Sequence, residues 1–306
     1  MEQYQDIWVK GKLVAKGVRE VESRYQLIKK QAKKFKRPFT VLDIGANLGY
    51  FSIRLTEDFP DCTVVAIEGI YGSWLKQVLN QNDNKRILLL QKTFKQSDLR
   101  SLAEVEHFDM VLAMSVIHHI DGGFAEVLET VRSLGTMTMA EIATEDGACG
   151  QSSVKAGFIP DDAEVVGYGK SHLNGPARPV FVMKNKKDTL AKSYLHTPRI
   201  RSHDLKIESN YFTKKKLQRG KVEDWHRGIN LRTFIDLNGA YPGKAHITEL
   251  LEKAKPTEKH GDLTTHNTIL QGDAVKFIDW FDPDVNKLND EQTFQEILNE
   301  VASKLE

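Results

Sequence analysis

Residues 39–55 read FTVLDIGANLGYFSIRL. The run Phe39 to Ile44 predicts a buried strand, and from Tyr50 onward the apolar residues fall at helical spacing. Between them lies Gly45-Ala46-Asn47-Leu48-Gly49, a turn in which glycine lets the backbone approach a ligand closely. Strand, glycine turn and helix open a doubly wound sheet, whose ligands collect at the carboxyl ends of the strands. Outward from this unit the pattern repeats. Strands are predicted at 63–67, 86–90, 108–114 and 136–142, with the helix-like SWLKQVLNQN at 73–82. Such alternation specifies an α/β fold with a mostly parallel sheet covered on both faces. After Gly157, AEVVGYGKSHLNGPARPVFVMK holds two strand-like runs around an Asn-Gly-Pro turn, which predicts a hairpin closing one sheet edge.

Composition narrows the class. With 43 Lys+Arg against 42 Asp+Glu the formal charge is +1, so no overall field favours nucleic acid or an acidic membrane, and basic surface has to be local. The two cysteines, Cys62 and Cys149, have no paired spacing, which argues against a disulfide framework and a structural zinc site. The N-terminal MEQYQDIWVKGKLVAKGVRE alternates charged and apolar residues, and no apolar run is long enough to span a bilayer. The expectation is a cytoplasmic protein without a transmembrane segment, of unspecified oligomeric state. The basic stretch KNKKDTLAKSYLHTPRIRSHDLK reads as a linker, and this explains it more simply than a nucleic-acid partner does. It divides the chain into residues 1–186 and a smaller module, 187–306.

Asp43 ends the first strand and Glu68 follows the second, where a carboxylate accepts hydrogen bonds from both hydroxyls of a ribose. A dinucleotide fingerprint requires glycine where Asn47 and Tyr50 stand, which weakens a nicotinamide reading. VLDIGANLGYFSIRL, VVAIEG and FDMVLAMSVIHHI together resemble the first motif, second-strand acid and fourth strand of class I S-adenosylmethionine-dependent methyltransferases, a Rossmann-like family. The resemblance covers roughly residues 20–186. It implies S-adenosylmethionine as cofactor, held by Asp43, Gly45, Asn47 and Gly49 at the turn, Glu68 on the ribose and Thr93 near the adenine. In VESRYQLIKK, Arg24-Tyr25 suits a helix laid over the cofactor, with Tyr25 as a contact and ordinary helix packing as the alternative.

The sulfonium of such a cofactor makes its methyl group electrophilic, so the protein mainly aligns an acceptor and excludes water. A hydroxyl acceptor also needs a base. His118 and His119, after the fourth strand, have the right intrinsic pKa, although adjacent histidines there also serve as wall residues. Glu141, ending the fifth strand, is a weaker candidate, with a salt bridge as its alternative.

In the C-terminal stretch, His260-Gly-Asp262-Leu-Thr-Thr-His-Asn267 and Val275-Lys-Phe-Ile-Asp279-Trp280 resemble the catalytic and metal-binding segments of aminoglycoside phosphotransferases and related kinase-like proteins. That likeness implies Asp262 as proton acceptor and Asn267 and Asp279 as ligands of the Mg2+ that bridges ATP phosphates. Residues 187–259 show no GxGxxG, although Ile207 to Lys214 reads as a strand, and few residues follow Trp280. A truncated or minimal kinase-like module is expected. The tandem order resembles the bifunctional enzymes that terminate bacterial O-antigen chains, which implies O-methylation of a sugar, glycan or sugar phosphate. The alternatives are a bifunctional methyltransferase/kinase and a binding module with relic sites.

Overall fold

The computed structural model describes residues 3–36, 38–142, 159–171, 176–185, 228–257, 260–261, 263–277 and 289–305. A small antiparallel hairpin opens the chain, β1 (Ile7–Val9) and β2 (Lys12–Ala15), turning at Lys10 and Gly11, both at positive φ. Helix α1 (Glu22–Ala32) follows. Then come β3 (Phe39–Ile44), α2 (Tyr50–Asp58), β4 (Cys62–Ile67), α3 (Gly72–Asn82), β5 (Ile87–Leu90), α4 (Gln96–Val105), β6 (Phe108–Met114), α5 (Phe124–Ser133) and β7 (Gly135–Glu141). The antiparallel pair β8 (Glu164–Gly169) and β9 (Arg178–Lys184) closes this half.

β3 pairs in parallel with β4 and β6, β4 with β5, and β6 with β7. The fold class is therefore α/β with a mostly parallel, doubly wound sheet, as the alternating pattern predicts. β9 and β8 add antiparallel strands, with β8 at the edge the hairpin is expected to close. Every residue of β3, β4 and β5 is buried, so these strands read as continuous apolar runs. Alternate residues serve opposite faces. Leu42, Ile44, Val65 and Ile67 pack against α4 and α5, whereas Val41, Val64 and Ala66 pack against α1, α2 and α3. Each fully buried Val, Leu or Ile contributes about 1.5–3 kcal/mol over its exposed state.

Beyond residue 227 the chain forms β10 (Ile229–Asn230), α6 (Leu231–Asp236), β11 (Gly239–Tyr241), α7 (Lys244–Ala254), β12 (Thr268–Leu270), β13 (Val275–Phe277) and α8 (Asp290–Lys304). β10, β12 and β13 make a separate three-stranded sheet. β11 instead pairs antiparallel with β5, so the large sheet has eight strands in the order β11-β5-β4-β3-β6-β7-β9-β8. Phe234, Ile247, Leu251, Leu270, Phe294 and Val301 share one apolar cluster with Leu99 of α4 and Val127 of α5. The buried Glu106 carboxylate accepts the Asn230 amide at 2.8 Å, tying the end of α4 to β10. The stretches on either side of the proposed boundary at 186 thus share a sheet and a core. The strand expected at 207–214 lies outside the described residues.

Candidate active site

The glycine turn is built by hydrogen bonds to the neighbouring strand. The amides of Gly45 and Ala46 both donate to Ile67 O, at 2.9 and 3.0 Å. Gly45, Asn47 and Gly49 all have positive φ (72°, 54° and 78°), and α2 starts directly after Gly49. A Cβ on Gly45 would stand 2.6 Å from Val116 Cγ2, so this position requires glycine for space as well as conformation. The Glu68 carboxylate is buried and clamped: Oε2 accepts the Asn47 amide at 2.7 Å and Oε1 the Tyr71 amide at 3.0 Å. Thr93 lies against Gly69, where its hydroxyl and backbone would block a Cβ. Gly45, Asn47, Gly49, Glu68 and Thr93 therefore converge at the carboxyl ends of β3, β4 and β5.

Two groups in the turn have unusual electrostatics. The side-chain oxygen of Asn47 is buried and accepts no hydrogen bond among the described residues. That costs free energy unless a ligand donor reaches it. Asp43, enclosed behind the turn, accepts the Ser52 hydroxyl at 2.6 Å. Burial raises its pKa to about 6, the Ser52 hydrogen bond opposing and the Glu68 charge adding to the rise.

A second cluster sits at the same end of β6, β7 and β9. Arg19, Arg24 and Arg178 are all nearly inaccessible, and Glu141 is fully buried among them. Arg24 Nε donates to Glu141 Oε2 at 2.5 Å, and Arg19 donates to Glu141 Oε1. Ser115 links these groups, donating to Glu141 at 2.7 Å and accepting Arg19 at 2.8 Å and Arg178 at 3.4 Å. Burial alone would raise the Glu141 pKa, but the Arg19 charge and the bonds from Arg24 and Ser115 hold it below the usual carboxylate range. Ser115 has φ of +59°, a conformation a non-glycine residue adopts at some cost and one that concentrates at functional sites. Among the described residues, Glu20, half-buried and 3.4 Å from Arg24, is a second carboxylate paired with Arg24.

The structure separates the pair Arg24-Tyr25. Arg24 reaches Glu141 and Lys170 O, whereas the Tyr25 hydroxyl bonds Arg54 O at 2.8 Å and the Asp58 carboxylate, inside the helix layer. Successive helical residues point about 100° apart, so one of the two faces the strand ends, and it is Arg24. The expectation of Tyr25 as a cofactor contact is corrected accordingly.

His118 and His119 belong to a single 3-10 turn after β6, with ring centroids 4.0 Å apart. His118 is buried and His119 exposed. Partial burial lowers the His119 pKa from its ordinary value, which favours the neutral imidazole. In the C-terminal stretch, Asp262 and Asp279 lie outside the described residues. Asn267 is buried in a 3-10 turn whose amide returns to Thr264, and the His260 and Gly261 amides are held by Asp290. Among the described residues no group of three His, Cys, Asp or Glu is placed to hold a metal ion. Nor is any helix there long and apolar enough to cross a membrane.

Sequence reasoning missed Arg19, Ser115 and Arg178. Isolated arginines in polar segments look like surface residues, and only their shared partner, Ser115, itself bonded to Glu141, distinguishes them.

No protein-family model matches the chain, and no curated protein matches it by sequence. Among solved structures, the chain is similar to the bifunctional kinase-methyltransferase WbdD at 16% identity and TM-score 0.48, over 98% of this chain and 84% of that one. It is also similar to the N-terminal domain of EvdMO1, in a structure determined in the presence of SAH and D-fucose, at 15% identity and TM-score 0.44, over 60% and 91% of the two chains. A third is a putative O-methyltransferase from Nostoc punctiforme, at 14% identity and TM-score 0.38, over 54% and 56%. With every TM-score under 0.5, the fold rests on strand order and register.

Proposed function

We propose that the chain is an S-adenosylmethionine-dependent methyltransferase that O-methylates a sugar, glycan or sugar phosphate. The observation that carries this reading is the buried Glu68 carboxylate fixed beside a glycine turn in which Asn47 Oδ1 lacks a donor. Each Glu68 oxygen already accepts one amide and keeps a lone pair for a ribose hydroxyl. Asn47 Oδ1 suits an ammonium or hydroxyl donor. The guanidinium cluster of Arg19, Arg24 and Arg178 offers donors suited to a carboxylate, so the site has complements to the ribose and both ends of an amino acid.

When bound, the cofactor supplies an electrophilic methyl group on a sulfonium. The chain's own residues then orient the acceptor at the ends of β6 and β7 and exclude water. For a hydroxyl acceptor, neutral His119 takes the proton on an imidazole nitrogen; an anionic phosphate oxygen needs no base.

Calorimetric titration with S-adenosylmethionine, followed by transfer of labelled methyl groups to a panel of sugars, sugar phosphates and extracted glycans, tests the reading. Binding and transfer support it. Absence of binding overturns it, and binding without transfer to any of these acceptors favours a binding module with relic sites.

A second reading, Mg2+-dependent phosphoryl transfer from ATP, draws on the way Asp290 holds the backbone just before Asp262 and on the buried turn at Asn267. Titration with Mg2+ and ATP tests it, with Asp279→Ala expected to abolish binding.

A further inference from the structure

The sheet edge opposite the glycine turn carries charge that the site described above does not use. α2 and α3 start near the crevice, so their last turns lie at this far edge, and two other elements meet there. The β1–β2 hairpin is pinned to the end of α2, with Gly11 N donating to Glu57 Oε1 at 3.0 Å and Trp8 Nε1 to Glu57 Oε2 at 2.7 Å. It is also pinned to the last residue of α3, Asn82, which accepts the Lys10 amide at 2.9 Å. The end of α1 attaches to the next residue of α2, Lys29 pairing with Asp58 at 2.8 Å. Consecutive acids, Glu57 and Asp58, thus join the hairpin to the end of α1.

The exposed charge at this end is predominantly cationic. Lys10, Lys12, Lys30, Lys33, Lys34 and Lys36 are exposed, and none ion-pairs with a carboxylate among the described residues. Asp83, beside the hairpin tip, is taken by Lys85 at 2.9 Å, which leaves Glu57, bonded to neutral donors of the hairpin, and Asp61, in the turn after α2, as counter-charges to the six lysines. On the hairpin, next to Lys12, β2 presents two aliphatic side chains to solvent, Leu13 at 47% exposure and Val14 at 57%. On a chain of formal charge +1 this is a local concentration.

We propose that the β1–β2 hairpin and the end of α1 dock on the surface of an anionic phospholipid bilayer. Lysine ammonium groups act as point charges toward a diffuse negative surface, and the exposed aliphatic side chains of β2, on the two faces of the hairpin, flank it at the headgroup boundary. Among the described residues the patch has no exposed aromatic side chain to stack on bases, and it exposes aliphatic surface that a polyanion leaves in water, so a nucleic acid fits less well. Docked in this way, the protein keeps the strand ends bearing Glu68 and Arg19 turned away from the bilayer and open to acceptors.

The test is co-sedimentation of the full chain with vesicles of phosphatidylcholine alone and of phosphatidylcholine mixed with phosphatidylglycerol. Binding to the mixed vesicles only, reversed by high salt, is the expected result. A lysine near an anionic surface strengthens binding about five-fold, so the variant K10Q/K12Q/K33Q/K34Q loses roughly 600-fold. The charge-neutral variant L13S/V14S weakens vesicle binding with its salt dependence intact. All substitutions are at exposed positions, and circular dichroism checks the fold. Equal affinity for both vesicle types, or full binding by the four-lysine variant, overturns the proposal. So does unchanged vesicle binding by L13S/V14S together with equally tight binding to duplex DNA, which would make the patch a general polyanion surface.

Discussion

Arg24 of α1 and Glu141 at the end of β7 meet as an ion pair with neither side chain exposed to solvent, Nε and Oε2 being 2.5 Å apart. The pair joins α1 to the end of β7, and α1 thereby becomes part of the crevice wall. Its energetics are asymmetric. Glu141 also compensates Arg19 and accepts Ser115, whereas Arg24 has further acceptors in Glu20 O and Lys170 O.

Removing the hub should therefore cost more than removing one spoke. Glu141→Gln leaves two buried guanidinium groups without their counter-charge and is expected to destabilise by about 3–5 kcal/mol. Arg24→Met, which leaves Glu141 paired with Arg19 and Ser115, is expected to cost less. Urea unfolding midpoints of the two variants measure the difference, and an equal or reversed order would show that Glu141 does not hold the cluster.

At the glycine turn, Glu68→Gln keeps the shape of the side chain but replaces one accepting oxygen with a donor facing an amide. Hydrogen bonds to a charged group contribute about 1.5–3 kcal/mol, so S-adenosylmethionine affinity should fall roughly ten- to hundred-fold. Calorimetric titration of both proteins reads this directly. Unchanged affinity would remove Glu68 from the cofactor site.

Legibility in the sequence followed the kind of signal each feature carries. The unit Phe39–Leu55 and the acid at Glu68 could be read because strand burial, glycine and helical spacing are local properties. Tyr25 shows the limit of that reading: apolar spacing marks it as buried, which it is, but does not say which neighbour its hydroxyl finds. Ser115 and Arg178 gave no signal because their role exists only once β6, β7 and β9 lie side by side. β11 was equally hidden. Gly239-Ala240-Tyr241 is too short for a periodic pattern, and its place beside β5 is set by the packing of α6 and α7.

Asp43 gives a pH dependence opposite to that of a salt-bridged carboxylate. Its pKa rises from 3.8 to about 6 on folding, mainly through burial. Between about pH 4 and pH 6 the native state therefore binds more protons than the unfolded chain. The stability contributed by this group falls as pH rises through that window and is level above it. The drop is about 3 kcal/mol at 1.36 kcal/mol per pKa unit. Asp43→Asn retains an acceptor for the Ser52 hydroxyl and does not titrate. The wild-type melting temperature relative to that of the variant should decline from pH 4 to pH 6 and then hold steady. A difference independent of pH would mean that the Asp43 pKa is not raised.

The role of His119 separates the two kinds of acceptor included in the proposed function. A sugar hydroxyl must lose a proton as the methyl group arrives, and His119, its pKa lowered by partial burial, is ready as a neutral base at pH 7. With a hydroxyl acceptor, kcat should rise with pH through a value below 6.5 and reach a plateau, the limb that belongs to deprotonation of the imidazole. His119→Ala should remove that limb and lower kcat by roughly 10²–10⁴-fold, the usual contribution of a positioned base, while leaving S-adenosylmethionine affinity intact. With a phosphate acceptor the attacking oxygen is already anionic, so the same variant should retain kcat and lack that limb. Measuring kcat against pH for both proteins on one acceptor of each kind makes the distinction. Loss of cofactor affinity in His119→Ala would instead place this side chain in the binding wall of the crevice, and the base would have to be sought elsewhere at the ends of β6 and β7.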